Sequence, residues 1–258
     1  MDFKAISSKD NSLIKLVSSL QTSAKSRKEN GLFVLEGLRI CDDAVQNGIQ
    51  FDKLIVSQNA LEKFECEIEI FSKSSAEHYV LPDSLFKKIS DTTSPQGIIA
   101  VAKMKDNNTQ IDKNGRYIAL ENLSDPSNLG AISRTAEALG VTGIILSDNS
   151  CDPYSPKVLR ASMGTLLRMP LIIFNDFSND IKNCGLKSYS CVVDKNAKAI
   201  NGLFFENGSV VIIGNEANGI TEETQKNSDE KITIRMSGKA ESLNAAIAAS
   251  IAMWEMMK

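Results

Sequence analysis

The second half of the chain alternates apolar strand-like runs with helical patterns. YIALENL, GIILSD, PLIIF, YSCVVD, SVVIIG and KITIRM are separated by helical segments near residues 129–139, 156–167, 176–183 and 242–256. A strand that is apolar at nearly every position must be covered on both faces. Helices between such strands supply both the cover and the crossover that parallel pairing needs. The pattern predicts an α/β fold with a buried, mostly parallel sheet, and ligand chemistry is expected at the carboxyl ends of its strands. In the first half, LFVLE, KLIVS, HYVL and GIIAVA, with helical patterns such as Leu38–Gln46 and residues 82–89, predict a smaller α/β domain. Apolar periodicity disappears over KMKDNNTQIDKNGR (103–116). The expected division is therefore a domain over 1–103, a linker over 104–116 and a second domain over 117–258.

Composition narrows the function. The 258 residues carry 29 Lys and Arg against 32 Asp and Glu, a net charge of −3, so nucleic acid would have to be held by local basic patches. Five cysteines without a C-x-x-C pair argue against a disulfide framework and a zinc site, and a reducing cytoplasm is expected. His78 is the only histidine and falls in a strand-like run, which leaves no material for a multi-histidine metal site or a histidine-centred triad. The start MDFKAISSKDN has no apolar signal core. The longest apolar stretch, near 245–257, is interrupted by Ser250 and Glu255, so neither secretion nor membrane insertion is expected.

Three segments follow strands and carry candidate chemistry. In ENLSDPSNLGAISRTAEALGV (121–141) a strand leads through a polar turn into a helix that Asn128 can cap. If Ile132, Ala136 and Leu139 form the buried stripe, Arg134 points away from the core and can reach a phosphate or ribose. In SVVIIGNEANGIT (209–221) a strand breaks at Gly214 into a Gly/Asn turn whose backbone can meet a ligand closely. Gly214 and Gly219 have phosphate-loop spacing, but Ile220 stands where that loop needs lysine, and no G-x-G-x-x-G follows a strand. In ITIRMSGKAESLNAAIAASIAMWEMM (232–257) a glycine loop precedes a helix apolar nearly all round, with Ser242 and Asn244 at its start as candidate caps.

Taken in order and spacing, DPSNLGAISRTA (125–136), IIGNEANGI (212–220) and IRMSGKAESLNAAIAA (234–249) resemble the three motifs of the SpoU-type (TrmH-like) branch of the SPOUT RNA methyltransferases. SPKVLRASMGTLLRMP (155–170) is similar to the family's segment between the first two, and ISSKDN through FVLEGLRI to its substrate-binding domain. The resemblance implies a ribosomal-protein-like α/β substrate-binding domain, then a methyltransferase domain with a C-terminal trefoil knot. It also implies a homodimer. The implied reaction is transfer of a methyl group from S-adenosylmethionine to a ribose 2′-hydroxyl, without a metal. Gly214, Ile234 and Leu243 would hold the cofactor. Asn128, Glu216, Ser242 and Asn244 would orient ribose, cofactor and loops, and Arg134 would face the target nucleotide.

Lys25, Arg27 and Lys28, and Lys157, Arg160 and Arg168, are the clusters expected to bind RNA. Ribosomal RNA is favoured over transfer RNA because a separate domain precedes the catalytic one. Arg235 stands where the family usually has proline and Ala246 where serine is common, so a non-catalytic RNA-binding protein is the rival reading.

Overall fold

The computed structural model describes residues 2–105 and 110–258 and divides the chain into two compact units. Residues 106–109 of the expected linker lie outside the described residues. Unit 1 comprises Met1–Lys105 together with Asp152–Leu167, and unit 2 comprises Asp106–Cys151 and Arg168–Lys258. Where the sequence suggests an unbroken domain over 117–258, the segment Asp152–Leu167 thus groups with unit 1.

In unit 1, β1 (Lys4–Ala5), β2 (Leu32–Glu36), β3 (Phe51–Ser57), β4 (Ser75–Leu81) and β5 (Ile98–Lys103) form a sheet in the order β1-β4-β3-β5-β2. Strand alternation divides the core between its two faces. Phe33, Leu35, Leu54, Val56 and Ala100 face helices Leu38–Gln46 and Glu65–Lys73, and Tyr154, Leu159 and Leu167 complete that cluster. Val34, Ile55, Ile99 and Val101 face the other way, onto Leu13, Ile14, Val17 and Leu20 of the Ser12–Thr22 helix. The borrowed segment is thus apolar cover for one sheet face, with the Tyr154 ring tilted by 45° against Phe33 at 4.9 Å.

Arg27 ties it down. Its Nε donates to Asp152 Oδ2 at 2.6 Å, and Nη1 donates to the carbonyls of Leu20 and Gln21 at the end of the Ser12–Thr22 helix. With 4% of its surface exposed, Arg27 is no RNA contact: burial and three acceptors commit its guanidinium to the fold. The expected helix over 156–167 is two pieces, Pro156–Ser162 and Thr165–Arg168, because Met163 (φ 51°) and Gly164 (φ 82°) both adopt left-handed backbone that a helix cannot contain.

Unit 2 holds β6 (Arg116–Leu120), β7 (Gly143–Ser147), β8 (Leu171–Phe174), β9 (Lys187–Cys191), β10 (Lys198–Ala199), β11 (Ser209–Ile213) and β12 (Glu230–Thr233). They pair in the order β10-β12-β9-β11-β6-β7-β8, every pair parallel. From β6 the chain moves outward through β7 and β8; from β11 it moves the other way to β12. The β6/β11 boundary is therefore the switch point where an open parallel sheet leaves a crevice for ligands. The C-terminal helix, Ala245–Met256, packs on helix Pro126–Leu139 and on β11, burying Ala245, Ala246, Ala249, Ala252, Met253 and Met256. No helix among the described residues is long and apolar enough to cross a membrane.

Replacing Arg27 by Met would leave the Asp152 carboxylate without its cation in a mostly dry setting. The expected cost is about 3 kcal/mol, of the order found when one partner of a buried pair is removed. Urea unfolding followed by circular dichroism checks this; a loss below about 0.5 kcal/mol would contradict the staple.

Candidate functional site

β6 and β11 lie side by side with Leu120 opposite Ile213, so the residues that follow each leave the sheet together. On the β6 side, Asn122 takes a left-handed conformation (φ 54°), anchored by its N–H to Ser147 Oγ at 2.8 Å. Asp125 then caps the Pro126–Leu139 helix, accepting from the Ser127 N–H at 2.8 Å. Proline favours the first helical position because its missing N–H would have had no partner there and its φ already suits a helix. The cap is thus Asp125 and not Asn128. Asn128 lies buried inside the first turn, where its side chain is free to bond sideways.

On the β11 side, Asn215 shapes the turn. Its Oδ1 accepts from the N–H groups of Ala217 and Asn218, its Nδ2 donates to the Asn122 carbonyl at 2.8 Å, and its backbone exchanges two hydrogen bonds with Gly219. Gly214 is demanded by the chain itself and not only by a ligand. A Cβ there would sit 2.1 Å from the Gly219 carbonyl carbon and 2.2 Å from the Ile220 nitrogen. Even alanine would displace the returning strand of the turn.

Glu216 joins the two sides. Its carboxylate accepts from the Ser124 N–H (3.1 Å) and Oγ (2.8 Å), the Asp125 N–H (3.1 Å) and Asn128 Nδ2 (2.9 Å). Partial burial works to raise its pKa, but hydrogen bonds from Asn128 and Ser124 to the charged form prevail and lower it to about 2. Asn128 Oδ1 in turn accepts from Asn244 Nδ2 at 3.1 Å, and Asn244 Oδ1 caps the C-terminal helix through the Ala246 and Ile247 N–H groups. One hydrogen-bonded chain, Glu216–Asn128–Asn244, therefore links three segments far apart in sequence.

Beside it opens a cavity of about 420 Å³, within the range of small-molecule sites. Gly214, Glu216, Ile234, Ser242 and Leu243 all line it, with Met236, Asp194 and Gln225, which the sequence did not single out. Its walls combine backbone and aliphatic side chains with the uncharged polar Asn215, Asn218, Gln225 and Ser242, and its acids are Glu216 and Asp194. That donor set fits a neutral adenosine joined to a cationic sulfonium, the chemistry of S-adenosylmethionine.

Arg134 lies six residues beyond Asn128 on the same helix, about 9 Å along its axis. It is exposed, and no hydrogen bond or ion pair engages it among the described residues. Arg235, the departure from the family pattern, donates to the carbonyls of Lys195 (2.6 Å) and Ala197 (3.4 Å), which gives it a local structural task. The basic clusters fare unevenly. Lys28 and Lys157 are exposed, Lys25 pairs with Glu29 (3.7 Å), and Arg160 pairs with Asp91 (2.7 Å). Arg168 grips Glu137 with two nitrogens, and it belongs to unit 2 while Lys157 and Arg160 belong to unit 1, so they do not form one patch on one body.

Because the Glu216 pKa falls from an ordinary 4.5 to about 2, its clamp is complete above pH 4.5 and is lost as pH falls toward 2. Hydrogen exchange of the Ser124 and Asp125 amides, measured across that window, is expected to stay slow to below pH 4. In Glu216→Gln the same amides exchange faster at every pH.

The profile of the SpoU rRNA methylase family matches residues 115–254, and that of an MRM3-like substrate-binding domain matches residues 11–100. The 23S rRNA (guanosine(2553)-2′-O)-methyltransferase RlmP of Bacillus subtilis is 26% identical over 255 residues, 98% of this chain and 99% of that one. The 23S rRNA (uridine(2479)-2′-O)-methyltransferase of Streptomyces viridochromogenes is 26% identical over 251 residues, 93% of this chain and 87% of its own length. The crystal structure of an AdoMet-bound rRNA methyltransferase from Sinorhizobium meliloti superposes with a TM-score of 0.85 at 26% identity, covering 98% of this chain and 97% of that one. With the family profile spanning more than half its length, the chain belongs to the SpoU rRNA methylase family.

Proposed function

We propose that this protein transfers a methyl group from S-adenosylmethionine to a ribose 2′-hydroxyl of ribosomal RNA. The observation that carries the reading is the Glu216–Asn128–Asn244 chain of hydrogen bonds, which ties the first motif to the second and third, and residues of those two line one cavity. Two 23S rRNA 2′-O-methyltransferases aligned over nearly the whole chain favour ribosomal over transfer RNA.

Bound S-adenosylmethionine supplies a methyl carbon activated by its sulfonium. The protein's part is positioning, the largest contribution available to a displacement that needs the attacking oxygen in line behind that carbon. Gly214, Ile234 and Leu243 hold the cofactor against the turn. Asn128 and Asn244, locked by each other and by Glu216, keep the first and third motifs in register. Ser242 orients the loop before the last helix. Arg134, free of protein partners, is placed to grip the phosphate next to the target ribose and to stabilise the developing alkoxide. A guanidinium keeps its proton in proteins, so the hydroxyl proton leaves through phosphate or water.

In this reading unit 1 is the RNA substrate-binding domain, with Lys25, Lys28, Lys157 and Arg160 contributing to its grip, and the enzyme works in the cytoplasm with the knotted C-terminal region of its family. It acts as a homodimer. Ile247 (53% exposed) and Trp254 (57%), seven residues apart with half-buried Ile251 between them, leave an apolar stripe on the C-terminal helix for a symmetric partner to cover. Ala252 is fully buried, so a charge there would damage the fold before it tested a dimer.

Incubating the protein with tritiated S-adenosylmethionine and ribosomal RNA, then locating the label as a 2′-O-methyl nucleoside by mass spectrometry, tests the reading directly. No transfer to ribosomal RNA overturns it. Arg134→Ala is expected to lose transfer by at least ~10²-fold while its cofactor affinity, read by calorimetry, stays within about twofold. Arg134→Lys is also poor, since an ammonium cannot copy the two-pronged contact. Trp254→Glu is expected to sediment as a monomer with little activity; a fully active monomer would remove the dimer from the mechanism.

A further inference from the structure

We infer that Glu121 is a positioning residue for the cofactor cavity, its buried carboxylate fixing the far end of the turn that forms one wall. The inference rests on the S-adenosylmethionine reading above. The turn over residues 214–221 is held to the end of β6 at successive points. Its start is tied by Asn215 Nδ2 to the Asn122 carbonyl, and Glu216 in its middle by Ser124, Asp125 and Asn128. Its end is tied by Glu121. One carboxylate oxygen accepts from the Thr221 N–H at 2.9 Å, and the other accepts from Thr221 Oγ1 and Thr224 Oγ1, both at 2.7 Å. Glu121 is 4% exposed, and its own N–H donates to the Ile213 carbonyl at 2.9 Å, so the side chain projects from a fixed point of the sheet.

A carboxylate is a costly group to bury unless several donors meet it, and here three do. What it holds is cavity wall. Ile220, immediately before Thr221, lines the cavity, as does Gln225, whose Nε2 donates to the Ile220 carbonyl at 2.8 Å. Thr221 also caps the Glu222–Asn227 helix that carries Gln225. Without Glu121, the stretch 217–220 would lose its tie to the end of β6, and what remains, the Asn215–Gly219 pair and the Gln225 bond to Ile220, lies within the turn and the helix that follows it, so the wall could drift from the ligand.

The test is calorimetric titration of S-adenosylmethionine into the full chain and its variants. Glu121→Leu keeps the bulk but offers no acceptor, and is expected to weaken binding at least about tenfold. Glu121→Gln can turn its oxygen to the Thr221 N–H and its amide to the two hydroxyls, and recovers most of that loss, a rescue that general loss of packing would not give. If Glu121→Leu does not fold by circular dichroism, Thr221→Val against Thr221→Ser decides the same point, with valine weak and serine near the unaltered affinity. An unaltered chain that binds, beside a folded Glu121→Leu or Thr221→Val that binds within twofold of it, overturns the inference alone. An unaltered chain that does not bind overturns the cofactor reading and this inference with it.

Discussion

The site depends on β6 and β11 being hydrogen-bonded neighbours in a parallel sheet. Their five-residue register, from Arg116 opposite Ser209 to Leu120 opposite Ile213, brings together two segments more than ninety residues apart. Both strands are buried almost throughout, so a slip of their pairing would disrupt packing against β7 and β9 as well as the turns beyond. The rigidity of the core is thus what lets a polar arrangement at its edge keep its geometry.

On that base the polar groups work as acceptors for backbone N–H groups that loops would otherwise leave unpaired. Asp125, Asn215, Glu216 and Asn244 each accept from N–H groups at a turn or helix start. Their second contacts then run between segments, which converts local capping into tertiary linkage. Capping and function are therefore not rival explanations for Asn244: the same side chain caps with its oxygen and bonds Asn128 with its nitrogen.

Much of the fold was legible because burial leaves a periodic trace. All ten strand-like runs became strands, from β2 to β5 and β6 to β12, and the two missed, β1 and β10, are two residues long and too short to show a period. The Ser12–Thr22 helix carries a clear stripe at Leu13, Ile14, Val17 and Leu20, but it precedes the first recognised strand, where no alternation draws attention to it. The break at Met163 and Gly164 is marked in the sequence only by its glycine, since the residues on either side keep helical character. Arg27 reads as one of a run of surface bases, and nothing local tells it from Lys25 and Lys28; only the arrival of Asp152, 125 residues away, makes it a buried ion pair.

By itself the sequence determined the α/β class, the nearly all-buried parallel strands, the three motif segments and the residue types at the site, because each follows from composition, periodicity or family pattern within a short window. Tertiary structure alone decided the partners. It made Asp125 the cap and freed Asn128 for Glu216, set the Gly219–Ile220 backbone against Gly214, and gave Glu121 its two threonines. It also moved Asp152–Leu167 into the first unit. The reason is physical: a side chain's propensity is local, whereas which donor fills a given acceptor depends on how strands distant in sequence come to lie side by side.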